Sequence, residues 1–181
     1  MPEELFDIVD ENNQPLGFTK PRKVVHKTLR YWHRAVHLWI VNSNKEMLCH
    51  QRAKTVDADP GKWQSFFGGH LKAGQDYPTS AIQELKEELG LEVKPSRLAP
   101  IHIRKSKRYK HNSQVYVLKW DGNIRDLQID KNEIESIKWL TAEDLQNEIN
   151  QGKYCNTMDD KVIEYMNLSG LKAERFSAMS F

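Results

Sequence analysis

Gly69-His70-Leu71-Lys72-Ala73-Gly74-Gln75-Asp76-Tyr77-Pro78-Thr79-Ser80-Ala81-Ile82-Gln83-Glu84-Leu85-Lys86-Glu87-Glu88-Leu89-Gly90-Leu91 is the stretch from which the rest of the chain is read. Its second half predicts a helix from about Pro78 to Gly90. Asp76 or Thr79 serves near the N-cap, Pro78 suits the first turn and Gly90 suits the position just past the end. On such a helix Glu84, Glu87 and Glu88 stand at i, i+3 and i+4 and share one face. Like charges at that spacing destabilise a bare helix. Two readings of that face are open: a solvated edge paired with Lys86, or a site whose carboxylates are offset by a hard divalent cation such as Mg²⁺ or Mn²⁺. Ala81, Leu85 and Leu89 line another face and can pack on a sheet.

The flanking sequence is rich in strands. Phe6–Val9 and Leu16–Phe18 read as two short strands around a turn. Residues 20–33 are basic and carry His26 and His33, and read as a loop with a short turn. Arg34–Val41 is apolar enough to be a central strand, and Asn42–Lys45 turns it into a second strand, Glu46–Arg52. Trp63–Phe67 reads as a short strand stopped by Gly68-Gly69. Beyond the helix, strands are expected over 92–104, 114–120 and 134–140. Thr141 opens a helix to about Asn150 and a last helix spans about 159–168. This order predicts an α+β domain.

Of 181 residues, 39% are hydrophobic and 29% charged, which is a globular composition. Lys and Arg number 27 against 25 Asp and Glu, so bulk charge gives no case for nucleic-acid binding. No apolar run approaches the length of a membrane span. The acidic N-terminus lacks the pattern of a signal peptide. Cys49 and Cys155 have no CxxC neighbour, and a reducing, cytoplasmic compartment is the expectation. The run Arg104–His111 is strongly basic. It reads as a solvated loop, as a steering surface for a polyphosphate, or as an RNA contact with Tyr109 stacking on a base. Trp32, Trp39 and Trp63 fit the core better than a base-stacking role. Arg52, at the end of its strand, can contact phosphate as a bidentate donor.

Taken with its spacing, the stretch 69–91 resembles the Nudix box, Gx5Ex7REUxEExGU, where U is a bulky apolar residue. Gly69, Glu84, Leu85, Glu87, Glu88, Gly90 and Leu91 fall in register. The resemblance covers most of residues 5–145. It implies a Nudix fold, an α/β/α sandwich around a mixed sheet. The whole chain, 1–181, would be one domain with a core at about 30–145, the box at 69–91 and C-terminal helices within 141–181. It also implies a hydrolase that uses Mg²⁺ or Mn²⁺ to cleave a diphosphate linkage in a small molecule, a nucleoside diphosphate derivative. By family role Glu84, Glu87 and Glu88 would bind the metal, with the Gly68 carbonyl as a further ligand, and Glu84 or Glu88 would orient the attacking water. Two positions depart: the first box Glu is Gln75 and the box Arg is Gln83. The family's salt bridge between them is replaced by two amides, which can still hydrogen-bond to each other.

Within that family the chain resembles the branch of type I isopentenyl-diphosphate isomerases and their hydrolase relatives. The stretches that carry this are His26–His37, Gln51-Arg52-Ala53 with Pro60–Trp63, and Gly69-His70. The isomerases' metal-binding histidines and glutamates correspond to His26, His33, His70, Glu133 and Glu135, which implies a second metal site. By family role a later acidic residue also completes the site on the box helix, and Glu133 or Glu135 is the candidate; on a strand the two would point to one face, which is otherwise a solvent-facing edge. His70 is alternatively a substrate contact, like Arg52. The isomerases' proton-transfer cysteine is replaced by Gly68, which favours hydrolysis. An isomerase relative and a catalytically weak nucleotide-binding module are the alternatives. The tail carries Phe176, Met179 and Phe181, which can cover the site or join two copies in a homodimer.

Overall fold

The structure, a computed structural model, describes residues 3–177 other than 57, with side chains described as far as residue 169. Its elements in chain order are β1 (Leu5–Val9), β2 (Pro15–Pro21), α1 (Arg22–Thr28), β3 (His33–Val41), β4 (Glu46–Arg52), β5 (Trp63–Gln64), α2 (Tyr77–Leu89), β6 (Leu98–Ser106), β7 (His111–Lys119), β8 (Ile134–Thr141), α3 (Ala142–Asn150) and α4 (Asp160–Ser177). The main sheet has the order β5-β4-β3-β7-β6, with β8 joined to β4. β3 runs parallel to β7 from His33↔His111 to Val41↔Lys119, and the other pairings are antiparallel, so the sheet is mixed.

The period-two alternation of β3 sorts its side chains onto two faces. Val36, Leu38 and Ile40 pack with Ala81, Leu85 and Leu89 of α2. Trp39 and Val41 pack with Leu145 of α3 and with Val162 and Met166 of α4. Helices therefore cover both faces of a mixed sheet, the α/β/α sandwich of an α+β protein. Among the described residues no helix is long and apolar enough to cross a membrane.

The hairpin β1–β2 stands apart as its own two-stranded sheet. Phe6, Ile8 and Val25 form a small apolar cluster with Tyr31 against them. The backbone N–H of Val9 donates to Trp32 O at 3.0 Å and that of Ala73 to Leu5 O at 2.8 Å. The hairpin is thus tied both to the entry of β3 and to the loop before α2.

Four sequence readings shift. Residues 20–33 hold a real helix, α1, which has no side-chain N-cap; it forms because Val25 is buried against Phe6 and Ile8, tertiary packing that local signals do not reveal. The strand expected over 92–104 is Leu98–Ser106, because Pro95 opens a 3₁₀ turn instead. β7 begins three residues early with polar His111-Asn112-Ser113, which pair with His33-Arg34-Ala35. Trp63–Phe67 shortens to Trp63–Gln64, with Phe67 bridging to Leu38. The basic run of 104–111 is the β6–β7 hairpin and its turn. There Lys105 and Lys110 lie 5.6 and 5.1 Å from the Trp32 ring centroid. On α4, Phe176 falls where side chains are not described, and Met179 and Phe181 lie outside the described residues.

Candidate active site

α2 is set by its caps. The Asp76 side chain accepts from Thr79 N–H at 2.9 Å, and Gly90 closes the helix in the left-handed conformation with φ 65°. Because Leu85 and Leu89 face the sheet, Glu84 and Glu88 are drawn toward the segment that crosses β3 at Gly68-Gly69. That segment is pinned by Val36 N–H to Gly69 O at 2.9 Å and Leu38 N–H to Phe67 O at 2.8 Å. The backbone requires a glycine at 68, and at 69 a side chain would displace the Glu84 carboxylate. Gly68 has φ 137°, and a Cβ there would overlap the Val36 carbonyl. A Cβ on Gly69 would overlap the Glu84 carboxylate.

The carboxylates sit unequally. Glu87 is exposed, Glu84 is half-buried, and Glu88 is 7% exposed with Oε2 lacking a hydrogen-bond partner among the described residues. Burial pushes Glu84 up to about 7, and the charges of Glu87 and Glu133 push the same way. Burial also raises Glu88 well above the carboxylate range, helped by Glu84 and Glu133 and opposed by the Gly68 N–H and by Arg52. The Glu133 charge therefore reaches both Glu84 and Glu88. Glu133 lies in the turn before β8, where its N–H donates to Asp130 O at 3.1 Å, so it does not share a strand face with Glu135. Three cations border the patch: Lys72 and Arg22 act on Glu84, and Arg52 acts on Glu88. Arg52 is braced by Nε to Ala58 O at 2.8 Å and Nη1 to Gln64 Oε1 at 3.0 Å.

A buried carboxylate oxygen without a partner, beside two further carboxylates, is costly as it stands. The donor set is all oxygen, and it fits a hard divalent ion with Glu84, Glu87, Glu88 and the Gly68 carbonyl as available ligands.

The histidines form a separate cluster. Ligand atoms of His26, His33 and His70 all lie within 4.8 Å of one another. His33 Nδ1 donates to Tyr31 O at 3.3 Å, which leaves Nε2 as an unprotonated acceptor, buried and without a partner among the described residues. His26 Nε2 is likewise buried and unpartnered. Phe6 stacks on His33 and His70 with centroids at 5.3 and 5.4 Å. Burial lowers His33 to about 4 and lowers His26 and His70 as well. Glu133 and Glu135 do not join this group: Glu133 lies with the α2 carboxylates, and Glu135 is exposed on β8. Of the five residues that the resemblance groups, the structure thus gathers three, His26, His33 and His70, in one cluster.

A NUDIX domain profile matches residues 31–158. The chain belongs to the Nudix family. It is 38% identical over 104 residues to Nudix hydrolase 3 of Arabidopsis thaliana; the match covers 57% of this chain and 13% of that protein. It is also 26% identical over 150 residues to an isopentenyl-diphosphate Delta-isomerase of Salmonella arizonae, covering 80% of this chain and 81% of the relative. A crystal structure of a Deinococcus radiodurans protein aligns with a TM-score of 0.72 at 23% identity, over 91% of this chain and 98% of that one, a likeness of fold.

The Nudix box is thus present with its two departures in place. Gln75 Nε2 donates to Gln83 Oε1 at 2.7 Å, the amide pair expected from the sequence. Sequence reasoning missed Arg22, Lys72 and His111. Arg22 precedes His26 by four residues, a helical spacing visible only once α1 is known. His111 is brought beside His33 by the parallel β3–β7 register, with centroids 5.8 Å apart, and no local signal predicts that pairing.

Proposed function

We propose that this Nudix chain is a hydrolase that uses Mg²⁺ or Mn²⁺ to cleave a diphosphate linkage, with a nucleoside diphosphate derivative as substrate. The observation that carries the reading is Glu88: a buried carboxylate with an oxygen unpartnered among the described residues, within the field of the Glu84 and Glu133 charges and next to the Gly68 N–H. Glu84, Glu87, Glu88 and the Gly68 carbonyl would hold the ion. When bound, it neutralises diphosphate charge and acidifies a water. Glu84, raised to about 7 and still open to solvent on one side, is suited to accept the proton of the attacking water near neutral pH. Arg52 leaves Nη2 for a phosphate oxygen, since its Nε and Nη1 are already engaged. Lys72 and Arg22 add positive charge on the Glu84 side.

A second metal reading is favoured by the imidazole cluster. With both glutamates outside it, the set is all nitrogen, which suits Zn²⁺ or another borderline ion and not Mg²⁺. Isomerase chemistry is disfavoured because it needs a thiol for proton transfer. Position 68 has no room for one, and Cys49 is buried among the core residues that pack against α3 and α4, its thiol pushed up to about 12 by burial.

The test is a screen of chelator-stripped protein for phosphate or monophosphate release. The panel holds nucleoside di- and triphosphates, nucleotide sugars, dinucleoside polyphosphates and isopentenyl diphosphate, with Mg²⁺ and then Mn²⁺. Metal-dependent release from one nucleotide class supports the reading. Silence on every nucleotide, with isopentenyl diphosphate isomerised, refutes it.

A further inference from the structure

The two glutamines that replace the box's charged pair do more than bond to each other. The Lys72 backbone N–H donates to Gln75 Oε1 at 2.8 Å, Gln75 Nε2 donates to Gln83 Oε1 at 2.7 Å, and Gln83 Nε2 donates to Glu87 Oε1 at 2.5 Å. The direction of this chain is fixed at both ends. A backbone N–H can only donate and an ionised carboxylate can only accept. Turning either amide over would set donor against donor or acceptor against acceptor, so both glutamines have one satisfied arrangement. Gln83 and Glu87 are four apart on α2 and face each other. The loop end is held as well: Gly74 N–H donates to Asp7 Oδ2 at 2.7 Å and Ala73 N–H to Leu5 O. A rigid loop is thereby connected, amide by amide, to one oxygen of an otherwise exposed carboxylate, whose other oxygen stays available.

We propose that Gln83 is a positioning residue that fixes the Glu87 carboxylate for the divalent ion, oriented in turn by Gln75 and the Lys72 N–H. This rests on the reading of Glu87 as a metal ligand. The relay carries no charge, and two consequences follow. No cation stands at Gln83 to compete with the metal for the charge of Glu87, as an arginine there would. The bracing itself is also insensitive to salt, because amide hydrogen bonds are not screened as ion pairs are.

The experiment is a Mn²⁺ titration of the metal-free full chain, followed by electron paramagnetic resonance, with thermal melts beside it. Q83M keeps the length of the side chain and removes the donor; Q83N keeps an amide that is too short to reach. Both are expected to weaken Mn²⁺ binding about ten-fold, as loss of a ligand-orienting partner does, with melting close to wild type. Once a substrate is found, the Mg²⁺ concentration for half-maximal rate should rise with kcat at saturating Mg²⁺ little changed. Q75M should show a smaller loss. The double variant Q75E/Q83R should bind Mn²⁺ more weakly than the wild type, because the arginine competes for Glu87, and its bracing should weaken with added salt where that of the wild type does not. Wild-type Mn²⁺ affinity in both Q83M and Q83N, with or without a lowered melting point, would overturn the proposal. Wild-type affinity in E87Q would instead sink the reading of Glu87 on which it rests.

Discussion

The α2 carboxylates and the histidine cluster meet at Gly69 and His70, and each buries ionisable groups of a single kind. They resolve the strain in opposite senses. Burial raises Glu84 and Glu88, so the carboxylates hold protons that they would release to water. Burial lowers His26, His33 and His70, so the imidazoles are neutral where they would otherwise charge. One patch offers carboxyl oxygens that ionise when a cation offsets their charge, and the other offers nitrogen lone pairs. A hard ion relieves the first and a borderline ion suits the second. Two metal preferences thus arise a few residues apart from the same physical cause, desolvation.

The largest expected effect separates the two directly. E84Q and E88Q should each lower turnover about 100-fold or more, the scale of several kcal/mol that a bound ion supplies. Both should melt no lower than wild type in chelator, since each removes a buried group that resists ionisation. Steady-state kinetics and calorimetry check the pair. Next, G68C should lower the melting temperature and gain no isomerase activity, because φ 137° and the Val36 carbonyl leave no place for a side chain. Proton-exchange assays on isopentenyl diphosphate read the second half of that statement. A triple replacement of His26, His33 and His70 by Gln should abolish Zn²⁺ binding in calorimetry while Mg²⁺-supported turnover falls by less than about ten-fold, the lower range for groups that only support a metal site.

The smallest effect is in the pH dependence of the metal-free protein, where the two patches oppose each other. Glu84, raised from 4.5 to about 7, contributes stability that is complete below 4.5 and lost as pH rises through 7. His33, lowered from 6.5 to about 4, contributes stability that is complete above 6.5 and lost as pH falls through 4. E84Q should therefore flatten the decline of melting temperature on the alkaline side, and H33Q the decline on the acid side. Melts in chelator from pH 4 to 8 show whether each variant removes the limb assigned to it.

The same comparison explains what could be read in the sequence. The carboxylate patch was legible because its chemistry lies on one helix. Glu84, Glu87 and Glu88 at helical spacing, Asp76 and Gly90 at the caps and Leu85 and Leu89 on the buried face are all local signals, and α2 forms where they place it. The strands β3, β4 and β8 and the helix α3 were equally local. The histidine patch was only half legible. Its three imidazoles come from α1, β3 and the Gly69-His70 crossing, and they meet because the β1–β2 hairpin folds over the end of the sheet. α1 itself has no capping signal. Between Glu133 and Glu135, the two acidic residues that the sequence offers beside the α2 carboxylates, local signals cannot choose, because a turn at Asp130 takes Glu133 off the strand and within reach of the charges on α2. The Gln75–Gln83 pairing was visible in the box, whereas its continuation to Glu87 required coordinates.

One measurement bears most directly on the claim that turnover belongs to the α2 carboxylates. It is the Mg²⁺ dependence of nucleotide cleavage by metal-stripped wild-type protein, beside E88Q and the triple histidine variant, on the best substrate from the panel. Saturable Mg²⁺ activation is expected in wild type and in the histidine variant, and near-complete loss in E88Q. Full activity in E88Q with loss in the histidine variant would contradict that claim.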